Sequence, residues 1–218
     1  TRTFIDTYTN KGRSEYKAFV SSINGTVKGG HVVSASFTVA DKKNIEDDFS
    51  PAISDYPNDP ANLEAEWGRS RGDERYRFVA SAVMRLPARF TLAPIFSYGS
   101  GQPWNYRLGY DRNGDGRNSD RPDGTPRFSE DGPNYMSFDV RLTYGLPLGS
   151  RAKVDLIAEA FNLINRTNYD VNFLQNNEYL TGPTPSAPAT ALVKNANFKT
   201  YTATLPPFEA QLGFRVTF

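Results

Sequence analysis

The chain has 218 residues, 25 of them basic and 24 acidic, for a formal net charge of +1, so composition points to no nucleic acid and no strongly charged partner. Hydrophobic residues make up 38%, below the usual globular share of about 45–50%; mean hydropathy is −0.56, and no run approaches the roughly 18 consecutive apolar residues of a membrane-crossing helix. Cysteine is absent, which excludes disulfides, thiol chemistry and Cys-ligated metal.

The chain opens on Thr1 without Met or a leader, and is expected to be a mature protein or a piece of a longer one. Residues 2–9 read as a strand with Phe4 and Tyr8 on one face, closed by the turn signal Asn10-Lys11-Gly12. Residues 13–24 alternate, with Tyr16, Ala18, Val20 and Ser22 opposite Glu15, Lys17, Phe19 and Ser21. A tight connection is expected from Asn24-Gly25 through Lys28-Gly29-Gly30, followed by a strand over 31–40. Residues 41–72 hold prolines and many acids without alternation, and read as a long loop with one helical turn around Ala61–Trp67.

Alternation returns at 75–86, a short turn follows at Pro87-Ala88, and the next strand runs to Tyr98 with Pro94 at its centre. Residues 99–133 form a second long loop. Strands are expected over 134–146 and 152–162, joined by the turn Pro147-Leu148-Gly149-Ser150. A third long segment covers 165–207, with a further strand expected over 192–204. The chain closes on Phe208–Phe218, where Phe208, Ala210, Leu212, Phe214, Val216 and Phe218 alternate with polar or small residues. That run matches the roughly 9–11 residues a tilted strand needs to cross a bilayer.

Short turns thus alternate with long loops, as in outer-membrane barrels, where the short turns face the periplasm. The 15 Phe, 12 Tyr and 2 Trp suit aromatic girdles. The fold class expected is all-β, an antiparallel transmembrane barrel segment of about eight or nine strands. The partner this implies is outer-membrane lipid.

Candidate sites are few. Asp111, Asn113 and Asp115, followed by Gly116, have the opening spacing of a calcium loop, in which oxygen ligands recur at alternate positions before a sharp turn. The glutamate expected at the twelfth position is replaced by Pro122, with Asp120 and Asp123 as possible substitutes; the plainer reading is a solvated loop with N-G and D-G turns. Tyr98, Trp104, Tyr106 and Tyr110 are expected to form an aromatic belt at the membrane interface, the alternative being part of a ligand-binding loop surface. His31 is the only histidine and heads no zinc or triad site. The sequon-like Asn24-Gly25-Thr26 and Asn165-Arg166-Thr167 read as turns, and Asp47-Asp48 as solvated loop carboxylates. Nothing is spaced as a hydrolase triad or phosphate loop, so an enzyme is the least supported class and no other cofactor is expected.

The stretch Ala158-Glu159-Ala160-Phe161-Asn162-Leu163-Ile164-Asn165-Arg166-Thr167-Asn168 resembles a strand-to-loop motif of TonB-dependent outer-membrane receptors, most closely the large Oar-like ones. Ser100-Gly101-Gln102-Pro103-Trp104, Asp111 to Gly116 followed by Ser119-Asp120-Arg121-Pro122, and the terminal Phe strand add to the resemblance. Tyr76 departs from it, standing where a His is expected.

The resemblance implies that residues 1–218 are the C-terminal third of a barrel of about 22 strands whose lumen is plugged. It further implies bacterial outer-membrane localisation and uptake of an unknown nutrient ligand. The partners would be the missing N-terminal plug and barrel portion, the TonB complex, and the barrel-assembly machinery reading Phe214, Val216 and Phe218. The alternatives are a stand-alone barrel of about eight strands with an adhesive or structural role, or a soluble sandwich binding carbohydrate through Trp67 and Trp104.

Overall fold

The computed structural model describes residues 9–47, 56–149, 151–170, 177–182 and 191–218. Its main element is one antiparallel sheet. The long strands are β1 (Ser14–Val27), β2 (His31–Asn44), β4 (Tyr76–Arg85), β5 (Phe90–Gly99), β8 (Tyr135–Leu148), β9 (Ala152–Phe161) and β12 (Glu209–Thr217). They pair strictly in that order, each with its chain neighbour, and the two-residue β3 (Gly68–Arg69) adds to β2. Two small ladders lie outside the sheet: β6 (Pro103–Trp104) with β7 (Glu130–Asp131), and β10 (Leu180–Thr181) with β11 (Val193–Lys194).

The cross-strand register carries the sequence alternation across the whole sheet. One row runs Phe37, Phe78, Tyr98 and Met136 from β2 to β8. Another runs Leu92, Leu142, Ala158 and Leu212 from β5 to β12. Both rows lie on the same face, which is apolar from β2 to β12 through the middle of the strands and continues onto β1 through Phe19 and Ile23. The opposite face carries Ser22, Ser36, Val79, Ser97 and Ser137 in one row, and Asn24, Ser34, Ser81, Ile95 and Asp139 in the next. On β8, β9 and β12 this second face becomes charged. Arg141 Nη1 lies 3.5 Å from Glu159 Oε1, and Gln211 Nε2 donates to Glu159 Oε2 at 2.5 Å.

Among the described residues the other ladders are two-stranded and two residues long, so they do not make the second sheet of a sandwich. Leu212 is 87% exposed and Phe214 74%. An apolar face of this extent calls for a covering of lipid or protein.

Several boundaries differ from the sequence reading. The strand expected over 2–9 lies, but for Thr9, outside the described residues. Asn24-Gly25 is not a turn: Gly25 pairs with Val33 and the strand continues to Val27. The reversal falls on Lys28-Gly29-Gly30, where Gly29 and Gly30 have φ of +93° and +75°, a region that favours glycine. Pro147 is likewise in a strand, opposite Lys153. Pro94 does interrupt its ladder: β4 pairs with β5 at Ser81–Ile95 and again at Met84–Leu92, with no paired residues between. It has no N–H to donate there.

The helical turn near Ala61–Trp67 is a 3-10 turn, Leu63–Glu66. The strand expected over 192–204 shrinks to Val193–Lys194. Asn195 and Asn197 break it, accepting on their carbonyls from Phe198 N and Thr200 N in successive turns. The described residues thus hold seven of the expected eight or nine long strands, the one over 2–9 lying outside them but for Thr9.

Face assignment gives a direct test. Leu142→Arg, at the middle of β8 on the apolar face, is expected to cost roughly 2–4 kcal/mol in a bilayer. Thr143→Arg, one residue on and facing the other way, is expected to cost under about 1 kcal/mol. Reversible denaturant unfolding of the full-length protein in lipid vesicles measures both. Equal penalties would contradict the assignment.

Candidate functional site

The interior of this protein lies above the sheet, where the long segments meet. Among the described residues only Ala40, Ile45, Trp104 and Phe128 are buried hydrophobics, while eleven polar or charged residues are buried. Two arginines from segment 100–134 organise them. Arg127 Nη2 donates to Asp47 Oδ2 at 2.7 Å, and its Nη1 donates to Asn44 O at 3.1 Å and Asn44 Oδ1 at 3.2 Å. Arg121 Nη2 donates to both oxygens of Glu66, at 2.8 and 2.6 Å. Asn58 secures the same junction, accepting from Arg121 N and donating to Arg121 O. Burial pushes the Arg127 guanidinium below its usual range, and the carboxylates of Asp47, Glu46 and Glu66 oppose that shift.

Carboxylates tie this hub down to the strand ends. Asp73 accepts from Lys42 N at 2.8 Å and from Arg69 Nε at 3.0 Å. Arg69 Nη1 reaches Asp131 Oδ1 at 2.7 Å. Ser70 Oγ donates to Asp47 Oδ1. Asp47 is therefore not the solvated loop carboxylate that the sequence suggests: it joins β2, segment 45–75 and segment 100–134. Glu66, Arg121 and Arg127 were missed as a unit because their partners lie 55 to 83 residues away. The only local signal was the Ser119-Asp120-Arg121-Pro122 motif.

The third long segment joins through aromatic and main-chain contacts. Tyr179 N donates to Arg107 O and Leu180 N to Leu108 O. Phe198 packs against Trp104 at 6.1 Å, Tyr106 at 5.1 Å and Tyr179 at 5.5 Å between ring centroids. Lys199 Nζ lies 5.7 Å from the Trp104 ring and donates to Glu130. Burial raises the Tyr106 hydroxyl, and the neighbouring Tyr179 adds to the shift.

The expected aromatic belt therefore divides. Tyr98 stands on the apolar face, in one row with Phe78 and Met136. Trp104, 5% exposed, and Tyr106 pack inside the loop layer. Tyr110, in the loop beyond them, is half-buried. Tyr76, which departs from the resemblance but which alternation groups with Phe78 and Met84, is on the apolar face at the same rim, stacked on Phe37 at 6.5 Å. Trp67 lies under Arg13, whose guanidinium carbon is 4.0 Å from its ring centroid.

The segment with calcium-loop spacing folds on its own amides. Asp111 accepts from Gly114 N and Gly116 N, Asn113 from Asp115 N, and Asp115 from Arg117 N. Asp120 accepts from Arg112 N and Asn113 N, and Asp123 pairs with Arg112. Among the described residues no group of three or more His, Cys, Asp or Glu side chains is placed to hold a metal ion.

The Asn162 to Asn168 motif stitches three strands at the long-loop rim. Asn162, at φ +47°, donates its N–H to Asp139 Oδ1, and its amide exchanges hydrogen bonds with Arg166 N and O. Asn165 Oδ1 accepts from Phe208 N. Asn168 Oδ1 and Nδ2 bond Met136 N and O, replacing a ladder where β9 has ended. Asn165 is thus a turn residue as expected. Asn24 is not: it lies in β1 and accepts from Ser34 Oγ. Gly101 of the Ser100 to Trp104 motif allows close approach, since a Cβ there would sit 1.8 Å from Gly132 O.

An open sheet with one apolar face and its interior in the loops is the geometry of a barrel wall. Residues 2–131 match the family described as the outer membrane beta barrel domain. The chain belongs to that family. No curated protein and no solved structure matches it. As an outer membrane beta barrel it resides in the bacterial outer membrane, and its short turns face the periplasm. The matched residues span both arginine hubs and stop before the Asn162 to Asn168 stitch.

Arg121→Ala leaves Glu66 buried and charged, and is expected to destabilise the loop layer by roughly 3–5 kcal/mol. Protease added outside intact cells should then cut segments 45–75 and 100–134 faster, with the sheet's circular dichroism unchanged. Unaltered cleavage would show that the pair does not hold the loops.

Proposed function

We propose that residues 1–218 are the C-terminal barrel portion of a TonB-dependent receptor of the Oar-like kind, taking up a nutrient across the outer membrane. The observation that carries the reading is the inner face. Ser22, Ser36, Ser97 and Ser137 share one row, and Ser34 and Ser81 the next. A barrel of about eight strands is just wide enough for its own side chains to fill, and the serines of these two rows, interrupted only by Val79 in one and by Asn24, Ile95 and Asp139 in the other, fill little of such an interior. A wide barrel with a separate plug suits small polar residues on its wall.

Among the described residues seven long strands form an antiparallel meander in which β1 and β12 run the same way, so the described sheet does not close on itself. In this reading the loop layer receives the nutrient, a plug fills the lumen, and the TonB complex supplies the energy. Phe214, Val216 and Phe218 of β12 serve the assembly machinery.

Growth on single nutrients tests the proposal. Deleting the gene and, separately, disabling TonB are expected to abolish growth on the same nutrient. Normal growth of the deletion strain on every nutrient, combined with loss of surface attachment, would favour the small adhesive barrel instead.

A further inference from the structure

The near-zero net charge hides a separation along the membrane normal. In the long segments 45–75, 100–134 and 162–208, acidic residues outnumber basic ones seventeen to eleven. At the short-turn rim the balance inverts. Segments 24–34, 83–93, 143–157 and 213–218 hold Lys28, Arg85, Arg89, Arg151, Lys153 and Arg215, all exposed, against the single acid Asp155. Lys153 pairs with Asp155 at 2.7 Å. Among the described residues Arg85, Arg89 and Arg151 have no acidic partner at this rim, whereas Arg69, Arg121 and Arg127 of the loop layer are paired with carboxylates.

Arg85, Arg89, Arg151 and Lys153 line an open cavity of about 650 Å³ at the strand ends, with Leu86 and Phe90 on its apolar side. Its floor includes Thr91, Gly145 and Thr217, small residues that leave it open. Register places Arg85 opposite Thr91 and Lys153 opposite Thr217. All four belong to the serine-bearing inner face and not to the apolar face. Arg89 and Arg151 stand in the turns beside them.

We propose that this rim is a docking surface for an acidic polypeptide segment entering the periplasmic mouth of the lumen. The inner-face position argues against phospholipid headgroups, which meet the outer side of the wall. Guanidinium forks suit carboxylates bidentately, and several spaced cations suit a chain of carboxylates better than one small anion. A low-dielectric wall focuses the field of such a cluster on an approaching partner. The inference needs only the outer-membrane orientation and not the transport reading.

The test uses full-length protein in nanodiscs of zwitterionic lipid, with a fluorescent hexaglutamate peptide as probe. Binding is expected at low salt and should weaken as salt rises. The triple variant Arg85→Gln, Arg89→Gln, Arg151→Gln should weaken it roughly tenfold, with heat-modifiable migration on gels confirming a folded barrel. Should the triple variant misfold, the turn variant Arg89→Gln alone is expected to lower affinity measurably, while Lys194→Gln on the outer side leaves it unchanged. Peptide binding that ignores these substitutions overturns the proposal. So does displacement of the peptide by millimolar inorganic phosphate, or its loss when anionic phospholipid replaces the zwitterionic lipid.

Discussion

Inside a bilayer no water is present to bond a stray N–H or C=O, so a strand can cross only if its neighbours satisfy its backbone. Everything else in this protein follows from that constraint. Each long strand from β2 to β9 is paired on both sides, and the side chains on one face are left to the hydrocarbon. A single sheet obeying this rule has no second layer to pack against. Its hydrophobic groups therefore build no interior, and the interior forms where the chain leaves the membrane.

What forms there is polar because it is assembled from loops. Loop backbone brings unpaired donors and acceptors, and side-chain amides and carboxylates are the groups that can meet them. Asp73 on Lys42 N, Asp47 on Arg71 N and Asn168 on both polar atoms of Met136 are instances. Once those carboxylates are buried they require cations, and Arg121 and Arg127 supply them. The hub is thus a consequence of closing long connections over a sheet that offers them no greasy surface.

The sheet was legible in the sequence because period-2 alternation records which face each residue takes, and the pairing register preserves that record across strands. Strand ends were less legible. Asn24-Gly25 looks like a turn, yet both residues extend without strain, and only the paired glycines at 29 and 30 force the reversal. The loop layer was hardest to read. Glu66 and Arg121 are 55 residues apart, and no local pattern distinguishes a buried loop arginine from a solvated one. Trp104 misled for the same reason: an aromatic after a strand end fits a membrane belt or a loop core equally well, and its partner Phe198 lies far along the chain. The asparagines of the Asn162 to Asn168 motif were visible as a pattern, but their task of extending the ladder beyond β9 was not.

Three connections that leave separate hairpins are clasped to one another, two by guanidinium–carboxylate pairs and the third by Phe198 and main-chain bonds to Arg107 and Leu108. Lifting segment 162–208 off the others would break the packing of Phe198 on Trp104 and the main-chain bonds to Arg107 and Leu108. The canopy is braced at several points at once, so the cost of parting one connection includes the ties it shares with its neighbour.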